Sequence, residues 1–293
     1  MKPKTLIVLL AGVTAVSFAA IFIRLSTAPP LIISFYRMFF SSILILFYFI
    51  YRGDFGAELK KLTMRDFLLL ALGGLFLSFH FAFWVTSLNH TSVASSVVLV
   101  TTQPIFIVLI ESLFLGKRPR REFLVGLVIA AIGSFLIGFG DFHGTQFGII
   151  GDIYALLGAV MAAGYFLIGG EVRRRISLLP YIFVVYGFSS VFLLVFCLIG
   201  DYSLVNYSPY NFGLFLLLAL IPTLIGHTSF NWLLSKVKAS MVGVTILGEP
   251  IGSSLLAMVF FDEYPSYWVL AGGSFVLFSI YLLWRQELLE DVT

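Results

Sequence analysis

The chain has 293 residues, of which 60% are hydrophobic and 11% charged. A soluble globular chain carries about 25% charged residues, and the mean hydropathy here is +1.04. A soluble globular enzyme, a disordered chain, collagen and a coiled coil are all excluded, and lipid is the solvent for most of the surface. The formal net charge of +3 matters less than how it is distributed. The lone cysteine, Cys197, makes neither an intrachain disulfide nor a cysteine metal site.

A helix that spans a bilayer needs about 20 mostly apolar residues. In chain order the apolar stretches run over 5–25, 31–51, 67–88, 93–115, 121–140, 147–169, 179–200, 211–234, 239–261 and 266–284. Turn and charge signals separate them: Ala28-Pro29-Pro30, Asn89-His90-Thr91-Ser92, Gly116-Lys117-Arg118-Pro119 and Asp262-Glu263-Tyr264-Pro265. The first stretch has features of a signal peptide, with Lys2 and Lys4 before an apolar core and Ser17-Phe18-Ala19 as a cleavage-like site. Its apolar run continues to Leu25, however, and it has a repeat partner, so it reads as a retained span.

Lysine and arginine in short loops set orientation. One side collects Lys2, Lys4, Arg52, Lys60, Lys61, Arg65, Lys117, Arg118, Arg120, Arg121, Arg173, Arg174, Arg175, Lys236, Lys238 and Arg285, all but two of the 18 basic residues. The other two are Arg24, at the far end of the first span, and Arg37, inside the second. The expected architecture is all-α and integral to the membrane, with ten transmembrane helices and both termini cytoplasmic.

The two halves of the chain resemble each other. Phe67–Leu72 recurs as Phe215–Leu220, with Trp84 matching Trp232 and Ser87 matching Ser235. In the next helix pair Pro104, Phe114, Pro119 and Gly126 match Pro250, Phe260, Pro265 and Gly272. Paired prolines inside helices are costly coincidences, because each removes a helix hydrogen bond. The unit is five helices, an odd number, so the second copy enters the membrane upside down. The expected units are 1–145 and 146–293. Inverted repeats are common in secondary transporters, with the solute site near the midplane; an old duplication kept in a structural or enzymatic membrane protein is the alternative.

Three features together resemble the drug/metabolite transporter superfamily, EamA family, over the whole chain. They are the five-plus-five arrangement, the arginine in Ser34-Phe35-Tyr36-Arg37-Met38-Phe39-Phe40, and Gly248-Glu249-Pro250 followed by Asp262-Glu263. The first copy departs from the family pattern, with Gly116-Lys117 where a Gly-Glu-like pair is common. The resemblance implies alternating-access transport of a small organic solute, with export of amino acids or related metabolites as the specific expectation. It implies a small-molecule partner and membrane lipids as surroundings, in the cell membrane; the energy is expected from the solute's own gradient or from protons. No cofactor, metal, enzymatic activity or nucleic acid is expected, and the chain is a monomer or a dimer.

Ionisable groups within spans are expensive, about 2.5–3.5 kcal/mol each on insertion scales, and usually face a cavity or a partner. Glu249 lies some ten residues into its helix, roughly 15 Å deep by the helical rise. Thr245 and Ser253 share its face one turn away. Its repeat partner, Gln103, sits at the same depth, and Pro104 and Pro250 free the carbonyls of Val100 and Ile246. Gln103 and Glu249 are therefore expected to line the site, Glu249 binding an amine or carrying a proton. Polar glue between helices with two packing kinks is the alternative. His80, Trp84, His227, Asn231 and Tyr165 are further substrate-binding candidates, and an aromatic-lined cavity with few polar groups suits an amphipathic or aromatic solute. Hydrogen-bonded interior histidines are the plainer reading of His80 and His227.

Arg37 either snorkels to the headgroups, anchors its helix to a neighbour, or recognises a substrate carboxylate. It is grouped with Pro104 and Pro250 as structural or gating. Glu111 reads as a rim ion pair with Lys117 and Arg118, and Thr14 and Ser17 as weaker lining candidates. Small residues at four-residue spacing, Ala11, Ala15 and Ala19, then Gly151, Ala155, Ala159 and Ala163, read as packing faces. Gly138-Phe139-Gly140-Asp141 fits an intramembrane aspartyl protease motif but lacks a second deep aspartate. A membrane enzyme acting on lipid or isoprenoid substrates would need polar residues clustered at one membrane face. A channel or receptor-like scaffold would show no solute-dependent switching.

Overall fold

The computed structural model describes residues 3–53, 55–60, 62–116, 119–141, 148–262, 264 and 267–290. They form helices and turns, with no strand among them. Eight helices are long and apolar enough to cross a membrane: Thr5–Leu25, Pro30–Arg52, Met64–Ser87, Val93–Phe114, Gly148–Val172, Leu178–Ile199, Pro209–Leu233 and Ala239–Phe261. Two more, Arg121–Asp141 and Tyr267–Glu290, have 21 and 24 residues. In chain order the helices are α1 to α10, α5 being Arg121–Asp141 and α10 Tyr267–Glu290. Each follows an apolar stretch of the sequence, and α10 extends six residues beyond the expected end at 284. Lys2, Lys61, Lys117, Arg118, Glu263, Pro265 and the 145/146 boundary between the expected repeats lie outside the described residues.

The helix ends follow local chemistry. Gly53 closes α2 in the left-handed region at φ 71°. Thr63 and Asp66 cap α3 reciprocally, so that two otherwise unpaired backbone N–H groups are satisfied. Asp66 also accepts a 2.7 Å ion pair from Arg175, beyond the end of α6.

Four helices are interrupted. Phe18 breaks α1 between Ser17 and Ala19. The helix α4 consists of Val93–Val100 and Gln103–Phe114, and α9 of Ala239–Ile246 and Glu249–Phe261. At the two prolines, for which freed carbonyls at a site or packing kinks are the two sequence readings, the structure ends each helix and starts it again. The chain tightens at the joints, where Thr102 N–H donates to Leu99 O and Gly248 N–H to Thr245 O, both at 3.2 Å. Pro104 and Pro250 sit in the first turn of the new halves, where a missing N–H costs nothing. In α8 the run Ala219–His227 is a π-helix containing Pro222.

The packing places α2 against α7, α3 against α6 and α7, α1 against α8, and α5 against α10. The first half of α4 packs on the second half of α9, and the first half of α9 on the second half of α4. Small residues set several of these distances. Gly151, Ala155, Ala159 and Ala163 are buried on α6; on α1 Ala15 and Ala19 are buried, whereas Ala11 is exposed. Large apolar side chains face outward, among them Leu113, Phe135, Val259 and Phe278, as a lipid-facing surface requires.

At Gly133 on α5, an added Cβ would lie 2.6 Å from the carbonyl oxygen of Gly272 on α10. Backbone cannot yield as a flexible side chain does. Gly133→Leu is expected to destabilise the α5–α10 pair by about 1–3 kcal/mol, the usual range for overpacking. Thermal unfolding in detergent would show this as a lower midpoint.

Candidate functional site

The interruptions of α4 and α9 put Gln103 and Glu249 at equivalent positions, each the first residue of a second half-helix. A helix N-terminus carries partial positive charge, which suits a carboxylate such as Glu249. Both residues line a small cavity of about 20 Å³, together with His80, Trp84, His227 and Phe230. That volume holds about one water molecule. Glu249 is 6% exposed and feels the guanidinium of Arg37.

His80 and Trp84 stack one turn apart, ring centroids 6.0 Å apart. The His80 Nδ1 lies 2.9 Å from Gly158 O on α6. A carbonyl only accepts, so Nδ1 carries the proton, which leaves Nε2 of the neutral ring as an acceptor. His227 meets the His80 ring at 6.3 Å and the Phe81 ring at 5.3 Å.

Arg37 does not reach the headgroups. Its side chain is fully buried, its Cζ 4.1 Å from the Phe81 ring centroid and 6.0 Å from that of Trp84. The cause lies in α8. Pro222 has no N–H to give the Leu218 carbonyl, and the Thr223 hydroxyl donates to that carbonyl instead, at 2.9 Å. The Thr223 oxygen then accepts from Arg37 Nε at 2.7 Å. Pro222 and Thr223 were missed in the sequence; a proline inside an apolar span, followed by threonine and five residues later by histidine, was the available signal.

Three expected substrate ligands sit elsewhere. Tyr165 donates to Asn231 Oδ1 at 2.6 Å, and Asn231 Nδ2 donates to Tyr186 at 3.0 Å. Arg173 Nε holds the Asn231 carbonyl at 3.0 Å. Tyr165 and Asn231 thus satisfy each other in a packed network beside the cavity rather than in its lining. Thr245 donates back to Met241 O at 3.1 Å and is also outside the lining. Thr14 faces outward, and Ser17 is buried with its hydroxyl on Val13 O at 2.8 Å.

Toward the basic loops, an open cleft of about 870 Å³ lies among α3, α4, α6 and α9. Phe76, Val108 and Gly164 form its apolar wall, and Glu111, Arg120, Glu171, Arg174 and Lys238 its charged mouth. Glu111 thus lies at a charged rim as expected, although Lys117 and Arg118 are outside the described residues. Between cleft and cavity, α9 meets α4: a Cβ on Gly243 would lie 3.1 Å from Pro104 and 3.3 Å from Ile107.

The opposite end is held by hydrogen bonds, of which those of Thr91 with Asp152 and of Asn211 with Ser26 and Thr27 cross between the two halves of the chain. Arg24 donates to Thr91 O at 3.2 Å, and Thr91 donates to Asp152 at 3.1 Å. Asn211 Oδ1 accepts from Ser26 at 2.8 Å and from Thr27 N–H at 3.1 Å. Among the described residues no group of three or more His, Cys, Asp or Glu side chains could hold a metal.

The model of the EamA-like transporter family matches residues 3–139 and again 149–285. The chain belongs to the EamA-like transporter family. It is therefore an integral, multi-pass membrane protein of a family of solute transporters. A protein of Archaeoglobus fulgidus named as an uncharacterized transporter is 22% identical, over 98% of each chain. The uncharacterized transporter YdfC of Bacillus subtilis is 24% identical, over 93% of this chain and 89% of its own. A solved structure titled "Crystal structure of protein" superposes with TM-score 0.74 at 18% identity, covering 97% of each chain. That likeness concerns the fold alone. In this EamA-like chain the two matched ranges each contain one helix that ends and restarts just before a proline, α4 and α9.

Proposed function

We propose that this chain is a secondary transporter that moves small organic solutes by alternating access and exports amino acids or related metabolites. One observation carries the reading. Two interrupted helices cross in a reciprocal way over a small cavity that Glu249 and Gln103 line, with a wide cleft toward one end and cross-half hydrogen bonds at the other. Interrupted helices at the midplane are a recurrent solution for solute sites in secondary transporters.

The ten spans, the inverted units 1–145 and 146–293 and the cytoplasmic termini belong to this reading. The twofold family match and the pairing of α1 with α8, α2 with α7 and α5 with α10 support them. With the basic loops cytoplasmic, the open cleft faces inward. Solute enters there and passes the contact of Gly243 with Pro104 and Ile107. It then meets Glu249, Gln103, His80, Trp84 and His227. The halves rock, Thr91 parts from Asp152 and Asn211 from Ser26 and Thr27, and the solute leaves. The energy comes from the solute's own gradient or from protons exchanged at Glu249.

The test uses the purified full-length protein. A thermal-shift panel of amino acids, nucleotides, sugars and cationic drugs selects stabilising solutes. Flux of each is then measured in proteoliposomes with and without a pH gradient. The expected result is at least one amino acid or close derivative that both stabilises and moves. A solute that binds without moving turns the reading toward a receptor or an enzyme.

A further inference from the structure

Four buried nitrogen atoms near the central cavity have no hydrogen-bond partner: Nη1 and Nη2 of Arg37, Nε1 of Trp84 and Nδ1 of His227. Native proteins leave few such atoms, and each calls for a physical explanation. Here they lie around one ring. Arg37 stacks on Phe81 at 4.1 Å, His227 meets Phe81 at 5.3 Å, and Arg37 lies 6.0 Å from the Trp84 ring. The guanidinium Nη groups and the indole N–H only donate. The third neighbour, His227, is an imidazole whose Nδ1 can take a proton and donate as well.

The same lining also carries acceptors. The His80 Nε2 is left as an acceptor by the Nδ1 contact to Gly158 O, and Glu249 supplies a carboxylate. Donors without a partner thus gather around the fixed positive charge of Arg37, beside a cavity whose lining includes Trp84 and His227 and also carries acceptors on His80 and Glu249. Arg37 is held by Thr223 through Nε alone, so its two Nη groups remain as a fork, the geometry that pairs with a planar oxyanion.

We infer that Arg37, Trp84 and His227 form a buried oxyanion subsite that reads a carboxylate group on the transported solute. This rests on the transport reading above and adds which chemical group the solute must carry. Because the cavity now holds about one water, the solute separates Phe81 and His227 from Arg37 as it enters. An amine on the same solute lies toward Glu249 and His80. Amides and esters of the same shape leave the guanidinium fork without an anionic partner and are rejected.

The experiment titrates full-length protein in detergent with matched probes, following tryptophan fluorescence and thermal midpoint. The pairs are L-phenylalanine with L-phenylalaninamide, L-leucine with L-leucinamide, and benzoate with benzamide. Each acid is expected to bind at least roughly tenfold more tightly than its amide, as a hydrogen-bonded charged group allows. Trp84→Phe keeps the ring and removes one donor, so the acid-over-amide ratio falls severalfold. Arg37→Lys keeps the charge and loses the fork, so the ratio falls further; if Arg37→Lys does not fold, Trp84→Phe still decides. Absence of an acid preference in every pair overturns the inference, whether both members bind or neither does. A preference unchanged in both variants overturns the assignment to these residues. Flux of amides in proteoliposomes as fast as of acids leaves the transport reading standing while removing the subsite. No flux and no binding of any probe removes both.

Discussion

Glu249→Gln is expected to reduce pH-gradient-driven solute flux to the level of protein-free liposomes while leaving insertion and folding intact. Glu249 opens the second half of α9, lines the central cavity and feels Arg37 as its charged neighbour. Glutamine keeps the shape and can still hydrogen-bond, but it cannot release a proton. Folding is spared because an amide is less expensive than a carboxylate at this depth; charged groups cost about 2.5–3.5 kcal/mol on insertion scales. Binding separates from coupling in this variant. With the Glu249 charge gone, the field of Arg37 is unopposed, so benzoate, which carries no amine, binds at least as tightly as in the unsubstituted protein. The measurement is flux against external pH, paired with the thermal midpoint. A variant that keeps the ordinary pH dependence removes Glu249 from the coupling role.

The sequence made the helices legible because lipid imposes a length and a composition that few other constraints can imitate. Stretches such as 93–115 and 239–261 end within one residue of Val93–Phe114 and Ala239–Phe261. The pairing of Gln103 with Glu249 was legible for a different reason: Pro104 and Pro250 are costly enough inside helices to mark a shared design. Their local effect was harder to read. The sequence readings are freed carbonyls or packing kinks within continuous helices, and the chain ends and restarts each helix, because the first turn of a new helix has no use for the missing N–H.

Side-chain direction was least legible. By depth alone Arg37 was close enough to the surface to reach water, yet its side chain turns inward onto Phe81 and Thr223. That direction depends on the π-helical stretch of α8, which begins 182 residues later at Ala219. Similarly, Asn231 and Tyr165 are polar at mid-membrane and looked like solute ligands. Only their positions in space reveal that each is the other's partner, at 2.6 Å. Periodicity says which residues share a face; it does not say what the neighbouring helix offers.

Locking the end opposite the basic loops is expected to stop transport completely. Thr91 Oγ1 and Asp152 Oδ1 are 3.1 Å apart, and a Cβ on the adjacent Gly151 would lie 2.7 Å from the Thr91 Cβ. The backbones are therefore close enough for the roughly 3.5–4.5 Å Cβ separation that a disulfide needs. Thr91→Cys with Asp152→Cys, in a Cys197→Ser background, joins the loop between α3 and α4 to the start of α6. The native thiol is buried and is removed so that only one bridge can form. Under the proposed alternating access these two segments separate once per cycle, because their hydrogen bond ties the two halves of the chain together at that face. Oxidation should abolish flux, a reductant should restore it, and either single cysteine should be inert. Binding of solute from the open cleft should survive the bridge, since Arg120, Arg174 and Lys238 line its mouth at the other end. Flux that continues after thiol labelling shows complete cross-linking would mean that this end does not open, and rocking of the two halves would no longer describe the cycle.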